Sequence, residues 1–254
     1  MSNTMKKHLL SLTTLLFSLS VSAQVWKVHK TDGTVVSYPA SKVEYVTVDP
    51  DEPVASHEYV DLGLPSGTLW ATCNIGADTP EQRGDYFAWG ETEGYRSGEK
   101  EFTWQTYKWC NGSHNTLTKY CTNSDFGTID SLTELQPEDD AAYICWGEDW
   151  RTPSQIQARE LLNGDYTTLT WTTRNGIEGY EITSKANGNS IFLPGRNATR
   201  GYYWLRMLAE ADIPEFTYLA YYIGFTADKV SWTDLLSRQN GIQIRPVRRA
   251  TTMQ

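Results

Sequence analysis

Among the 254 residues, the groups able to do chemistry are few and scattered. Four cysteines occur, Cys73, Cys110, Cys121 and Cys145, and the last histidine in the chain is His114. A serine nucleophile needs a histidine base within hydrogen-bond reach, and no G-x-S-x-G elbow is present. A zinc site needs closely spaced ligands, yet there is no C-x-x-C pair, and past the first residues only His29, His57 and His114 remain to complete one. Asp139 with Asp140, or Glu91 with Glu93, are the carboxylate pairs that a glycoside hydrolase would need. Paired acids are also ordinary on the faces of acidic proteins. The composition points instead to recognition. From Gly201 to Arg238 come Tyr202, Tyr203, Trp204, Arg206, Tyr218, Tyr221, Tyr222, Trp232 and Arg238, the residue types that dominate interface hot spots.

The beginning of the chain sets the compartment. Lys6 and Lys7 precede an apolar run, LLSLTTLLFSL, and then the small residues Val21, Ser22 and Ala23. This is the layout of a secretory signal peptide over residues 1–23. The run is too short for a hydrocarbon core that needs roughly 20 residues, and no later stretch reaches that length, so no transmembrane segment is expected. Export leads to the periplasm, the cell surface or the medium. There the cysteines meet oxidising conditions, and three pairings are possible. Cys110 and Cys121 flank a Gly- and Asn-bearing stretch that can close a loop, which leaves Cys73 with Cys145; free, buried thiols are the alternative. Removing Lys6 and Lys7 with no acid takes the formal charge from −9 to −11. Such a protein does not seek nucleic acid or anionic lipid.

The elements that must position these groups follow from pattern. Alternation on both sides of Asp32-Gly33 predicts a β-hairpin within residues 24–48, with a third strand over Lys42–Val48. Acids and prolines make residues 49–58 a linker. From Tyr59 to about residue 250 one α+β domain is expected, with short strands, two helices and long loops. Strands are predicted at Tyr59–Leu62, Thr68–Ala71 and Tyr86–Trp89. Helices follow at Asp139–Trp146 and Ser154–Leu162, the second capped by Ser154. Further strands are expected at Thr167–Thr173, Gly179–Ser184, Ser190–Leu193, Tyr202–Leu205, Leu219–Phe225, Lys229–Trp232 and Gly241–Pro246. Gly63, Gly67, Gly76 and Gly90 suit turns with positive φ. Trp70, Trp89, Trp146, Trp150 and Phe192 are the core aromatics, and Arg151 either pairs with an acid or covers an aromatic face.

The wording of several blocks is itself informative. YVDLGLPSGTLWATCNIGADTPEQRGDYFAWGE (Tyr59 to Glu91), WGEDWRTPS (Trp146 to Ser154), SKANGNSIFLPGR (Ser184 to Arg196), YYW (Tyr202 to Trp204) and IRPV (Ile244 to Val247) resemble, in order, the Fibrobacter succinogenes major paralogous domain family. KTDGTVVSYPASKVEYVTV looks like the leader segment common ahead of such domains. The resemblance implies a C-type-lectin-like fold akin to formylglycine-generating enzymes, in secreted and surface proteins of gut Bacteroidetes. Those enzymes act through cysteines near the C-terminal end, and this chain has none after Cys145, so the resemblance does not carry catalysis with it. Calcium-dependent lectins of this fold use Glu-Pro-Asn or Gln-Pro-Asp with Trp-Asn-Asp; none of these strings occurs, and Trp232-Thr233-Asp234 lacks the amide. No cofactor is expected. In the family, the stretches after YYW and before RPV run through Asn-rich segments, whereas here they hold Leu205 to Ala209 and Ser231 to Ser237. Mixed side chains on a constant framework look like the variable proteins of diversity-generating retroelements. The expected contact set is therefore Tyr203, Leu205, Arg206, Met207, Tyr221, Trp232, Thr233, Asp234 and Leu235, facing an unidentified protein or glycan. An adhesin would show an exposed apolar patch. A glycan-binding module would show a shallow groove floored by Trp or Tyr with acids at its rim.

Overall fold

The computed structural model describes residues 25–29, 35–39, 57–209 and 216–249. The chain divides into two compact units, Met1–Val54 and Ala55–Gln254. In the first, strands β1 (Val25–His29) and β2 (Val35–Pro39) pair antiparallel, from Val25 with Pro39 to His29 with Val35. That is the hairpin expected around Asp32-Gly33. The signal peptide, the third strand over residues 42–48 and linker residues 49–56 lie outside the described residues. The linker reading fails at its last two positions. His57 stacks on Trp146 at 3.7 Å and the Glu58 carbonyl accepts from the Thr72 N–H, so both belong to the second unit.

The second unit is mixed, with short helices and antiparallel sheets. One sheet has the order β3 (Tyr59–Asp61), β4 (Thr68–Ala71), β12 (Val247–Arg249), β5 (Trp150–Arg151), so the last strand lies between two early ones. A second runs β6 (Thr167–Arg174), β7 (Ile177–Ser184), β8 (Ser190–Pro194). The third has β10 (Leu219–Thr226) between β9 (Arg200–Leu208) and β11 (Lys229–Ser237). Helix α1 (Ala141–Trp146) starts where the Asp140 carboxylate accepts from the Ala142 N–H. Helix α2 (Gln155–Leu161) starts on a complete Ser154–Gln157 capping box, which satisfies two otherwise orphaned N–H groups.

Side-chain alternation along β9 and β10 explains the interior. Tyr203, Leu205, Tyr221, Ile223 and Phe225 point into one apolar cluster, with α2 and the β6–β8 sheet. Trp204, Leu208 and Ala220 point the other way, into a cluster with Trp89, Trp150 and Tyr120. The third sheet is therefore covered on both faces over much of its length. Trp70, Trp89, Trp150 and Phe192 are buried as expected, whereas Trp146 is half-exposed and stacks on His57. Arg151 covers an aromatic face, 4.2 Å above the Tyr143 ring. Gly63, Gly67, Gly76 and Gly90 all have positive φ, and a Cβ on Gly76 would fall 2.3 Å from an Asp85 carboxylate oxygen.

Two predicted strands are not strands. At Tyr86–Trp89 there are only isolated bridges, Tyr86 to Tyr95 and Phe87 to Ile242, because that segment crosses the domain between loops. Residues 241–246 likewise bridge rather than pair, and the ladder begins at Val247. None of the four cysteines is in a disulfide. The thiols of Cys110, Cys121 and Cys145 are each directed at a different backbone carbonyl, those of Trp104, Asn123 and Thr92. The expected Cys110–Cys121 and Cys73–Cys145 bridges are accordingly not formed.

Candidate functional site: a tyrosine-floored cleft on the third sheet

The expected contact residues separate by strand parity. Tyr203 (1 % exposed) donates its phenol O–H to the Pro194 carbonyl at 2.7 Å and accepts from Asn74 Nδ2, which ties β9 to β8 and to the Asn74 loop. Leu205 is fully sealed, and Tyr221 is buried in the same cluster. These three face inward because α2 and the second sheet cover the odd-numbered side of β9 and β10. They are removed from the contact set. Met207, Trp232 and Leu235 are half-buried and pack against that same cluster, and none of the three lines the concavity on this sheet. Arg206 is half-buried and ion-paired with Glu134, away from Thr233 and Asp234 on the opposite edge strand. Thr233 is exposed and Asp234 half-exposed on β11.

Asp234 instead helps to form a concavity of about 270 Å³ with Arg200, Tyr202, Tyr222, Gly224, Lys229 and Ser231. Its centre is Gly224. Across the sheet Gly224 is opposite Tyr202 on β9 and Ser231 on β11, and the ladder shifts register between Tyr222 and Gly224. A glycine inside a strand commonly marks a place where something approaches the backbone closely. Here the missing side chain lets the Tyr222 ring and the Asp234 carboxylate close directly over the backbone. A Cβ on Gly224 would lie 2.8 Å from the Tyr222 ring and 2.9 Å from an Asp234 oxygen.

The walls are chemically distinct. The Tyr202 and Tyr222 rings stand 5.6 Å apart at 60°. Arg200 donates to the Tyr202 phenol at 3.2 Å, and Ser231 Oγ donates to Asp234 Oδ1 at 2.9 Å. Burial raises the Tyr222 phenol to about 12, helped by the adjacent Asp234 charge and the hydrogen bond between them. The phenol thus stays protonated and Asp234 remains an acceptor held between two hydroxyls. The cleft offers two ring faces, one carboxylate acceptor and donors from Arg200 and Lys229. That set suits a ligand combining an apolar ring face with hydroxyls.

The candidate carboxylate pairs are occupied elsewhere. Asp140 is fully buried and accepts from Ala142 N, Thr152 N and Thr152 Oγ1. Asp139 accepts from Lys119 Nζ and the Tyr120 phenol. Glu91 holds Lys100 Nζ at 2.6 Å and the Lys108 N–H at 2.8 Å. Among the described residues no cluster of three or more His, Cys, Asp or Glu is arranged to hold a metal ion, and no helix is long and apolar enough to cross a membrane.

Tyr202, Tyr222, Gly224 and Ser231 were outside the expected contact set. Their signal in the sequence was parity: on β9, Tyr202 has the opposite parity to Tyr203 and Leu205, and only one of the two sets can face the larger core. Comparison with known proteins adds nothing to this chemistry: no family model, curated protein or solved structure matches the chain.

Proposed function

We propose that the protein is an exported binding protein with a C-type-lectin-like domain, and that the cleft between β9, β10 and β11 takes a sugar ring without catalysing a reaction. The signal-peptide layout and the ordered blocks from Tyr59 to Val247 support export and the fold assignment. One observation carries the ligand class: two tyrosine rings and a carboxylate held by a serine hydroxyl line a depression beside Gly224 in a sheet that is packed on both sides over much of its length. A pyranose has an apolar face for the rings and hydroxyls for Asp234, Ser231 and Arg200.

A glycan array with the mature chain tests this, followed by titration of the best binder. Tyr222→Ala and Asp234→Asn should each weaken binding about tenfold or more, the cost of a lost ring contact or charged hydrogen bond. Trp232→Ala, which removes a ring packed on the core, should lower stability while leaving the glycan profile unchanged. Identical array profiles for wild type and both cleft variants would sink the reading.

A further inference from the structure

Away from the tyrosine cleft, a groove of about 480 Å³ runs past Leu135, the turn before β5, and β12. Four guanidiniums line it, those of Arg151, Arg206, Arg248 and Arg249, against three carboxylates. This is a local excess of positive charge on a chain of formal charge −9.

In both ion pairs at the groove the cation is better anchored than the acid. Arg248 lies 5.0 Å over the Tyr59 ring and 5.6 Å over the Trp150 ring, with its side chain 17 % exposed; its partner Asp149, at 2.9 Å, is 68 % exposed. Arg206 is 25 % exposed and its partner Glu134 44 %. Such rim acids are held weakly, because exposed pairs lose most of their attraction to solvent and side-chain entropy. Arg151 donates to the Glu148 and Trp150 carbonyls, and neither it nor the exposed Arg249 has an ion pair among the described residues. Arg248 Nε–H is sealed from water with no acceptor, and Arg206 Nε, although within ion-pair reach of Glu134, is not aligned for a hydrogen bond. A ligand carboxylate therefore has to reach these side chains through the remaining N–H groups of their guanidiniums, not through Nε.

We propose that this groove binds an acidic peptide segment, whose carboxylates displace Asp149 and Glu134 from Arg248 and Arg206 and reach Arg151 and Arg249. Charge complementarity with fixed guanidinium forks favours carboxylates. No aromatic ring lines the groove, so a sugar ring finds no face to stack on, whereas half-buried Leu135 and exposed Pro137 offer apolar contact to a peptide. Arginine clusters are a recurring means of reading acidic motifs.

The test is fluorescence polarisation of labelled hexaglutamate and hexaglutamine peptides with the full mature chain, at low salt and at about 0.15 M. Hexaglutamate should bind and hexaglutamine should not. The double variant Arg151→Gln/Arg249→Gln should weaken binding about tenfold. Asp149→Asn and Glu134→Gln should each tighten it about threefold or more, by removing a competitor for the arginine. Asp165→Asn, an equal charge change on the turn before β6, should stay within about twofold of wild type, because a remote exposed charge is screened. Three results would overturn the proposal: equal binding of the two peptides, an Asp165→Asn gain as large as that of Asp149→Asn, or displacement of the peptide by trigalacturonate or inorganic phosphate at the concentrations where free hexaglutamate displaces it. The binding site lies outside the tyrosine cleft, so neither Tyr222→Ala nor Asp234→Asn should change it.

Discussion

Arg245 holds the domain together at a point where no carboxylate does. It is 1 % exposed, and its guanidinium donates to Asn74 Oδ1 at 2.8 Å, to the Ala71 and Thr72 carbonyls at 3.1 and 2.9 Å, and to the Phe192 carbonyl at 3.0 Å. It thereby joins β4, the Asn74 loop and β8, the last two of which also fix the Tyr203 phenol. Arg245→Met keeps an unbranched chain of similar reach but removes every donor. The buried acceptors Ala71 O, Phe192 O and Asn74 Oδ1 would be orphaned at about 1–3 kcal/mol each, so about 3–9 kcal/mol is at stake. Relief from burying a cation, whose pKa burial already lowers, offsets part of this. A net loss of about 3–6 kcal/mol remains, against a total of about 5–15 for a typical domain. With a urea slope of about 2 kcal/mol/M, the midpoint followed by tryptophan fluorescence should fall by about 1.5–3 M at unchanged slope. Arg245→Lys should lose nearly as much, since one ammonium cannot serve four separated acceptors. A midpoint shift below about 0.5 M for Arg245→Met would refute the claim that these bonds hold the sheets together.

Gly224→Ala should leave the fold intact, at a cost near 1 kcal/mol because only the Tyr222 ring and the Asp234 carboxylate need to shift, yet weaken glycan binding about tenfold; equal affinity by calorimetry would show that the depression is not the site. The raised Tyr222 phenol favours the protonated fold, so its contribution is whole below pH 10 and is lost as pH rises through about 12. Urea midpoints should therefore decline over that window, and less steeply in Tyr222→Phe; an unchanged slope would contradict the burial assigned to this ring. Thiol titration of the unfolded chain should find four reactive groups, and in the native protein buried Cys121 should react last. Fewer than four would restore a disulfide.

Local chemistry was legible in the sequence. Ser154 marked a helix start, Asp32-Gly33 a hairpin, and Trp70, Trp89 and Trp150 a core. What depended on partners distant in the chain was not. Tyr203 and Leu205 carry residue types common at interfaces, yet α2 and the second sheet cover them, and nothing near position 203 announces a hydrogen bond to Pro194 or Asn74. The cleft depends on placing Gly224 opposite Tyr202 and Ser231, and the register shift beside Tyr222 breaks simple counting from the hairpin turn. The arginine groove draws on residues near 135, 150, 206 and 248, and only the fold unites them. The cysteines misled because loop closure by Cys110 and Cys121 is a matter of thiol direction as well as spacing.

A sheet packed on both faces can meet a ligand in two places only: along its free edge, or where a side chain has been left out. Both occur here within a few residues. Edge strand β11 presents Thr233 and Asp234, and the depression lies beside Gly224 on the central strand. Substitutions at Ser231 and Asp234 change what the cleft offers without touching the core, whereas changes at Tyr203, Leu205 or Tyr221 must first be absorbed by packing that tolerates little change in volume. On the proposed reading, changes in ligand preference would fall on the rim of the cleft, while Tyr203 and Leu205 of β9, which look most like contacts, are buried and not free to serve as such.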